Sequence, residues 1–191
     1  MPPKPKFTRE EMVETALELV ARRGPDALTA RELGAALGSS ARPIFTVFRG
    51  MEELQAEVRA AAMRRFEHFA ARPIPDMPLF KRVGMQMVRF AVQEPKLYQL
   101  LFMQENADAA GFDGVFGVLG GTADACIAAL CSDYGLTPED ARRLFETVWI
   151  YTFGVGALCA TQACRFSEEQ LSRMLTTEFQ AMLHLVRGPA Q

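Results

Sequence analysis

Residues 29–48 read TARELGAALGSSARPIFTVF and contain the clearest structural signals of the chain. Thr29 followed three residues later by Glu32 is the pattern of a capping box, which marks the start of a helix. Gly38 is the residue type at which chains commonly leave a helix through left-handed dihedrals. These signals predict a first short helix over residues 29–37.

A second short helix follows the glycine. Ser40 is the better cap of a serine pair, because it places Pro43 in the first turn, where the missing N–H would have had no helical partner. The helix is then predicted over residues 40–48, with an apolar side formed by Ile44, Phe45 and Phe48. Two short helices joined by a glycine turn make a helix-turn-helix, whose second helix can enter the major groove of DNA.

Flanking helices complete this N-terminal domain. Thr8 and Glu11 form another capping box, which opens a helix over residues 8–23. A long helix is predicted over residues 50–70, and the prolines of residues 72–78 forbid its continuation. A helix-turn-helix buries too little apolar surface to stand alone, so both flanking helices are expected to close its core.

Residues 7–58 resemble the DNA-binding domain of the tetracycline-repressor (TetR) family. The resemblance lies in the order and spacing of four segments, which read ALELVARRG at 16–24, TARELG at 29–34, GSS at 38–40 and IFTVF at 44–48. It implies a DNA-binding head on a helical body that binds a ligand and forms a homodimer. We therefore predict an all-α fold with a head at residues 1–50, extended by the connecting helix to about residue 58, and a body at residues 51–191.

The resemblance also implies which residues face DNA. The expected contacts are Thr29, Arg31, Ser39, Ser40, Ala41, Arg42, Pro43, Phe45, Thr46 and Arg49. Three positions depart from the family pattern: Phe45 replaces a frequent tyrosine, Met51 a frequent lysine, and Ser39 a small apolar residue. The lost hydroxyl and cation weaken the sequence-independent part of binding, which Arg42 and Arg49 are expected to restore.

Composition agrees with this organisation. The formal net charge is −2, which excludes binding to nucleic acid by bulk charge alone. Residues 1–75 nevertheless carry 12 Lys and Arg against 10 Asp and Glu, whereas residues 76–191 carry 9 against 13. The first residues, MPPKPKF, lack the apolar run of a signal peptide, so a cytoplasmic protein is expected, with Lys4 and Lys6 in a solvated tail or near phosphates.

The remainder of the chain shows helical periodicity. Helices are expected near residues 79–93, 95–105, 114–134, 138–164 and 167–187. The 18 residues 147–164, TVWIYTFGVGALCATQAC, are uncharged and touch the lower length limit of a membrane span. Threonines, a glutamine and two glycines argue against lipid, so we expect a homodimer interface through the helices near 138–164 and 167–187. The resemblance implies the same pairing.

The body is expected to hold a small hydrophobic effector. Methionine and phenylalanine can line an adaptable apolar cavity, and we name Met85, Phe102, Phe145, Trp149 and Phe153 as candidate lining residues. No residue spacing indicates a metal site or a cofactor. The four cysteines have no zinc-like spacing, so they are expected to be reduced, buried, small apolar residues or, alternatively, a thiol switch.

The functional prediction is a ligand-responsive transcriptional regulator, a repressor that leaves its double-stranded DNA operator when an apolar molecule binds the body. A dimer would present two recognition helices about 34–36 Å apart, and the ligand would shift the population towards a form with a different separation. The alternative is a small-molecule-binding or adaptor dimer whose head no longer reads DNA. An enzyme is not expected, because no HExxH, GxSxG or phosphate-loop motif occurs.

Overall fold

The structure is a computed structural model that describes residues 6–105, 119 and 121–188. Within these residues the regular secondary structure is helical, as predicted. The α-helices are α1 (Arg9–Arg23), α2 (Ala30–Ala36), α3 (Ile44–Val47), α4 (Met51–Ala70), α5 (Leu79–Gln93), α6 (Pro95–Phe102), α7 (Gly121–Tyr134), α8 (Pro138–Ala160) and α9 (Glu168–Arg187). A short 3-10 helix, Pro25–Ala27, follows α1.

The chain divides into two compact units. The head unit comprises Met1–His68 and Glu94–Gln104, and the body unit comprises Phe69–Gln93 and Glu105–Gln191. The predicted boundary at residue 50 concerns where the DNA-binding domain ends, and it stays a prediction.

The core of the head unit joins the helix-turn-helix to its flanking helices. Met12 on α1, Leu33 on α2, Ile44 on α3 and Leu54 on α4 are all fully buried. The short helix α6 belongs to this unit as well, because it packs against α1 and the 3-10 helix. Burial of apolar side chains from every helix of the unit explains how such a short helix-turn-helix is stabilised.

Charged side chains tie α4 to the rest of the head unit. Arg65 donates to Glu18 on α1 at 2.7 Å and to Glu94 before α6 at 2.5 Å. Arg59 donates through its two Nη atoms to the carbonyl oxygens of Leu100 and Leu101, each at 2.8 Å. These carbonyls lie in the last turn of α6, where the helix leaves them without intrahelical partners.

The body unit is built around α8. Helices α5, α7 and α9 all pack against it, and a row of aromatic rings runs through this packing. Phe179 on α9 contacts Phe80 on α5 with centroids 5.6 Å apart, Phe80 contacts Phe145 on α8 at 5.8 Å, and Phe145 stacks on Trp149 at 5.8 Å. Tilted and offset ring pairs of this kind stabilise a core beyond their burial alone.

Outside the helix-turn-helix, most helix boundaries agree with the sequence predictions, and two helices are shorter. Capping boxes at Thr8 and Ser167 open α1 and α9, and α5 has the predicted limits. Helix α6 ends at Phe102 instead of residue 105. Helix α8 ends at Ala160 instead of 164, because Gln162 adopts a φ of 60° and turns the chain. The predicted start of the 114–134 helix lies outside the described residues, as does Lys4.

Helix α8 ends before the uncharged run of residues 147–164 does, so this run is not one continuous helix. Within the described residues, none of the helices combines the length and apolar character needed to cross a bilayer.

Candidate DNA interface and ligand cavity

The first helix of the helix-turn-helix begins as predicted, but only one of the two hydrogen bonds of the expected capping box is formed. The Thr29 hydroxyl accepts a hydrogen bond from the Glu32 backbone N–H at 3.2 Å. The reciprocal bond of a capping box is replaced, because the Glu32 carboxylate accepts from Arg23 at the end of α1. The carboxylate thus links α2 to α1 instead of closing the cap.

The turn after α2 depends on two glycines for different reasons. Gly38 adopts a φ of 63°, which side-chain-bearing residues rarely adopt. Gly34 has ordinary dihedrals, but a Cβ built there would lie 2.8 Å from the backbone carbon of Ser40 and 2.9 Å from the nitrogen of Ala41. The Ser39 backbone N–H donates to the Gly34 carbonyl oxygen at 2.8 Å, so the returning chain lies directly against α2.

The second helix is shorter than predicted. Helix α3 spans only Ile44–Val47, with Pro43 at its N-cap and no side-chain capping bond. The segment before it is a tight turn, in which the Ile44 N–H donates to the Ala41 carbonyl at 3.1 Å. The prediction that Ser40 caps a helix over residues 40–48 is therefore wrong, because three-residue turn bonds replace the first helical turn.

The apolar side of α3 is also narrower than predicted. Ile44 and Phe48 are buried in the head core, whereas Phe45 has 52% of its surface exposed. Phe45 therefore does not share the buried side of Ile44 and Phe48, because the four-residue helix turns its ring towards solvent. The adjacent Thr46 is exposed as well, and its hydroxyl donates to the Pro43 carbonyl at 2.6 Å.

Three arginines around these helices are exposed, and their guanidinium groups form no ion pair within the described part of the chain. Arg31 lies on α2, Arg42 in the turn before α3, and Arg49 after α3. None of the side-chain hydrogen bonds of the described residues includes these groups either. Arg9 and Arg23, by contrast, are each bound to a glutamate. The three groups are therefore available to an anionic partner.

A small cavity lies inside the body unit, between α5, α8 and α9. Its volume is about 50 Å³, which accommodates a few water molecules and lies well below the roughly 300–1,000 Å³ of ordinary small-molecule pockets. The aromatic part of its wall is formed by Phe80, Phe145, Trp149 and Phe179, and the flexible part by Met77, Met85 and Leu175. An organic ligand therefore has to open this space by moving side chains.

Cys126 on α7 also lines the cavity. Burial raises the pKa of its thiol to about 12, an effect that the nearby charge of Arg82 only partly opposes. Cys159 on α8 is buried too, and burial followed by the proximity of Cys164 raises its pKa. Within the residues that the structure covers, no group of three or more His, Cys, Asp or Glu side chains is placed to hold a metal ion.

Sequence comparison identifies the N-terminal domain. The family described as "Bacterial regulatory proteins, tetR family" matches residues 12–58, which span most of α1 through the first part of α4. Residues 12–58 therefore form a DNA-binding domain of the TetR family. No curated protein matches the sequence.

Solved structures extend the similarity of fold to nearly the whole chain. A TetR-family regulator from Streptomyces coelicolor has a TM-score of 0.68 at 16% identity, covering 94% of this chain and 87% of its own. FadR of Bacillus halodurans, a fatty acid degradation regulator, has 0.64 at 16%, covering 99% and 100%. A TetR variant from Acinetobacter baumannii, solved in complex with minocycline, has 0.60 at 18%, covering 93% and 95%.

The fold of this TetR-type domain places the predicted DNA contacts in one segment. Thr29 and Arg31 lie at the start of α2, the residues from Ser39 to Pro43 form the turn, and Phe45 and Thr46 lie on α3. The side chains of Thr29, Arg31, Ser40, Arg42, Phe45, Thr46 and Arg49 are exposed, and those of Ser39, Ala41 and Pro43 are partly buried.

The predicted ligand contacts are only partly brought together. Met85, Phe145 and Trp149 line the cavity. Phe102 lies in the head unit, where its ring packs against Phe66 at 5.2 Å and Tyr98 at 5.0 Å. Phe153 is half-buried on α8 and is not part of the cavity wall.

Sequence reasoning did not select several residues that line the cavity. Phe80, Lys81 and Gly84 belong to one face of α5, and Ser172, Leu175, Thr176 and Phe179 belong to one face of α9. Their spacing of three or four residues was visible in the sequence. What the sequence lacked was the information that these two faces meet.

Proposed function

We propose that this TetR-family protein is a ligand-responsive DNA-binding transcriptional regulator, a repressor that leaves its operator when a small molecule binds the body unit. The observation that carries the proposal is the helix-turn-helix with three exposed arginines whose guanidinium groups form no ion pair within the described residues. Exposed cations next to a short helix of this kind supply both phosphate contacts and base readout.

Each candidate contact has a chemical role. Arg42 and Arg49 flank α3 and are proposed to bind phosphate or the O6 and N7 atoms of guanine. The hydroxyls of Thr29 and Ser40 donate to phosphate oxygens; that of Ser40 is exposed and does not cap a helix. Apolar contacts to thymine methyl groups come from Pro43 and the exposed ring of Phe45.

A homodimer would supply two such heads. The stripe that would carry the pairing lies on α8, where Ile150, Gly154 and Leu158 are all exposed and spaced by four residues. A Cβ built at Gly154 meets no heavy atom within 4 Å, so a second helix can approach this position closely. Exposed apolar side chains next to a small residue are typical of helix packing between subunits.

Regulation follows from the cavity. A ligand that binds only an opened cavity stabilises the opened conformation and shifts the population towards it. The ligand can lower the DNA affinity only by the factor by which it prefers the conformation that does not bind DNA. A ligand with equal affinity for both conformations leaves the DNA affinity unchanged. The minocycline complex of a protein with the same fold supports a small-molecule role for the body.

One observation favours the alternative of an adaptor dimer with a degenerate head. Phe45 exposes an aromatic ring without the hydroxyl that relatives direct to phosphate, and Met51 opens α4 without a cation. Such a head would bind DNA weakly and without preference for sequence.

Fluorescence anisotropy distinguishes the two. The purified protein is titrated against labelled DNA from beside its own gene and against a scrambled control, at two salt concentrations. The regulator binds the native DNA in preference to the control, with an affinity that falls by about 0.9 log units per neutralised phosphate for each log unit of salt. Equal and weak binding to both DNAs supports the degenerate head.

A further inference from the structure

Three polar side chains line the cavity where it reaches solvent. Lys81 on α5 and Thr176 on α9 are half-buried, and Ser172 on α9 is exposed, whereas the aromatic residues deeper in the wall are buried. Ser172 and Thr176 are four residues apart and therefore lie on one face of their helix. The cavity thus combines a buried apolar interior with a polar rim.

The rim carries a cation without a counter-charge. The Lys81 Nζ lies 4.8 Å from the centroid of the Phe179 ring, and within the described residues Lys81 forms no ion pair. Among those residues, no carboxylate belongs to the wall of the cavity. Contact with a phenylalanine ring stabilises an ammonium group only weakly compared with a carboxylate partner, so this charge can be offered to a ligand.

The hydroxyls of the rim are unused as well. Neither Ser172 nor Thr176 forms a side-chain hydrogen bond within the described part of the chain. The hydroxyl deeper in the wall behaves differently, because Thr152 donates to the Val148 carbonyl at 2.8 Å and is satisfied within its own helix. The available hydroxyl donors of the wall, as far as the structure describes it, are therefore concentrated at the rim.

We propose that the cavity binds an organic acid, with its apolar body against Phe80, Phe145 and Trp149 and its carboxylate at Lys81, Ser172 and Thr176. This assignment rests on the proposed function and names the chemical class of its effector. It departs from the sequence-based expectation of an apolar ligand, because Lys81 gives the rim of the cavity a positive charge. Charge-assisted hydrogen bonds to a carboxylate are about twice as strong as neutral ones.

The volume of the cavity determines how the acid enters. About 50 Å³ cannot hold an organic molecule, so binding must displace the flexible wall formed by Met77, Met85 and Leu175. Methionine side chains adapt to new shapes at low cost. The ammonium of Lys81 is then the first group that an incoming acid meets, and the apolar body follows.

The single tryptophan of the chain provides the measurement. Trp149 lines the cavity, so its fluorescence reports binding there. The probes are 4-phenylbutanoate, 4-phenylbutanol and 4-phenylbutylamine, together with decanoate, decanol and decylamine below micellar concentrations. Within each series only the terminal group differs, and the acid is expected to bind about tenfold more tightly than the alcohol, with the amine weakest.

Variants test whether Lys81 supplies the preference. Lys81→Met is expected to remove the preference for the acid over the alcohol, and Lys81→Arg to retain it. Lys96→Met, in the head unit, is the matched control and should leave the preference unchanged. The proposal is overturned if the alcohols bind as tightly as the acids, if Lys81→Met keeps the preference, or if no probe perturbs Trp149.

The outcome is separable from that of the proposed function, because DNA binding by the same preparation is measured without any probe. Selective DNA binding together with indifference to the acids overturns only the assignment of the ligand. Acid binding together with an absence of selective DNA binding leaves the cavity as assigned and refutes the regulator.

Discussion

Arg9 on α1 and Glu53 on α4 form an ion pair that joins the start of α1 to the start of α4. The Arg9 Nη2 lies 2.5 Å from the Glu53 Oε1, and its Nη1 lies 2.8 Å from Glu57. The other oxygen of Glu53 accepts from the Arg49 backbone N–H at 2.7 Å, and the guanidinium of Arg9 lies 4.5 Å from the Phe48 ring centroid. One arginine thus fixes the chain that follows α3, next to a proposed DNA contact.

This pair makes the stability of the head dependent on pH. The hydrogen bond from Arg9, followed by that from the Arg49 backbone, lowers the pKa of Glu53 below its usual value of 4.5. A lowered pKa means that the stabilisation is present above pH 4.5 and is lost as the pH falls through the lower, folded-state value. Glu53→Gln should reduce the urea midpoint at pH 7, and the difference from the wild type should shrink in acid. Glu52→Gln, at an exposed neighbour, is the control, and an equal effect of both variants would contradict the role of the pair.

Gly34→Ala should damage the helix-turn-helix itself. The added methyl group would lie 2.8 Å from the Ser40 backbone carbon, and backbone cannot rotate away as a side chain can. Overpacking of this kind costs on the order of 1–3 kcal/mol, so both the free energy of unfolding and the DNA affinity should fall. Gly121→Ala, where a Cβ meets no heavy atom within 4 Å, is the control. Unchanged DNA affinity in Gly34→Ala would mean that the turn accommodates the added methyl group without altering the DNA-binding surface.

Arg42→Ala tests base readout. If the guanidinium reads a guanine, the substitution should cost about 1–3 kcal/mol of binding free energy on the preferred site and relax sequence selectivity. If it contacts a phosphate, the substitution should weaken binding to all DNAs equally and reduce the salt slope by about one. Arg64→Ala on α4 removes a similarly exposed arginine outside the helix-turn-helix and serves as the control. Unchanged affinity in Arg42→Ala removes this residue from the contact list.

Ile150→Asp tests the dimer. Ile150 on α8 and Val92 on α5 are both apolar and exposed to a similar degree, 55% and 52%, so a charge at either position should be tolerated equally by one subunit. Burying an unpaired carboxylate in an interface is strongly unfavourable. Light scattering after size-exclusion chromatography should therefore find monomers for Ile150→Asp and dimers for Val92→Asp. Dimers for both variants would place the interface elsewhere.

The thiol of Cys126 should be nearly inert at neutral pH. With a pKa of about 12, roughly one molecule in ten thousand carries the thiolate at pH 8, and only the thiolate reacts. Iodoacetamide labelling followed by mass spectrometry should modify the half-buried Cys131 and Cys164 before Cys126. The rate at Cys126 should rise about tenfold for each unit of pH between 8 and 10. Rapid labelling of Cys126 at pH 7 would show that the cavity is already open.

Several features of the fold were predictable because their causes are local. The capping boxes at Thr8 and Ser167 act within four residues, and the structure contains both. The limits of α5 follow from prolines on either side. The order and spacing of residues 16–48 were enough to identify the DNA-binding domain, and residues 12–58 match that family.

Other sequence predictions were wrong where contacts between distant residues determine the local structure. The Glu32 carboxylate binds Arg23, nine residues away, instead of completing the capping box. Helix α3 begins only at Ile44, because the turn before it packs against Gly34. Phe102 and Phe145 read alike in the sequence, yet one packs in the head unit and the other lines the cavity of the body unit.

Local sequence patterns were enough to predict the helical class, the positions of most helices and the DNA-binding domain, because periodicity, caps and turn residues act over a few residues. The small size of the cavity, and the position of Lys81 with Ser172 and Thr176 at its rim, became apparent only in the three-dimensional packing. These relationships join residues nearly a hundred positions apart. They arise from the packing of α5 and α9 against α8, which no local pattern specifies.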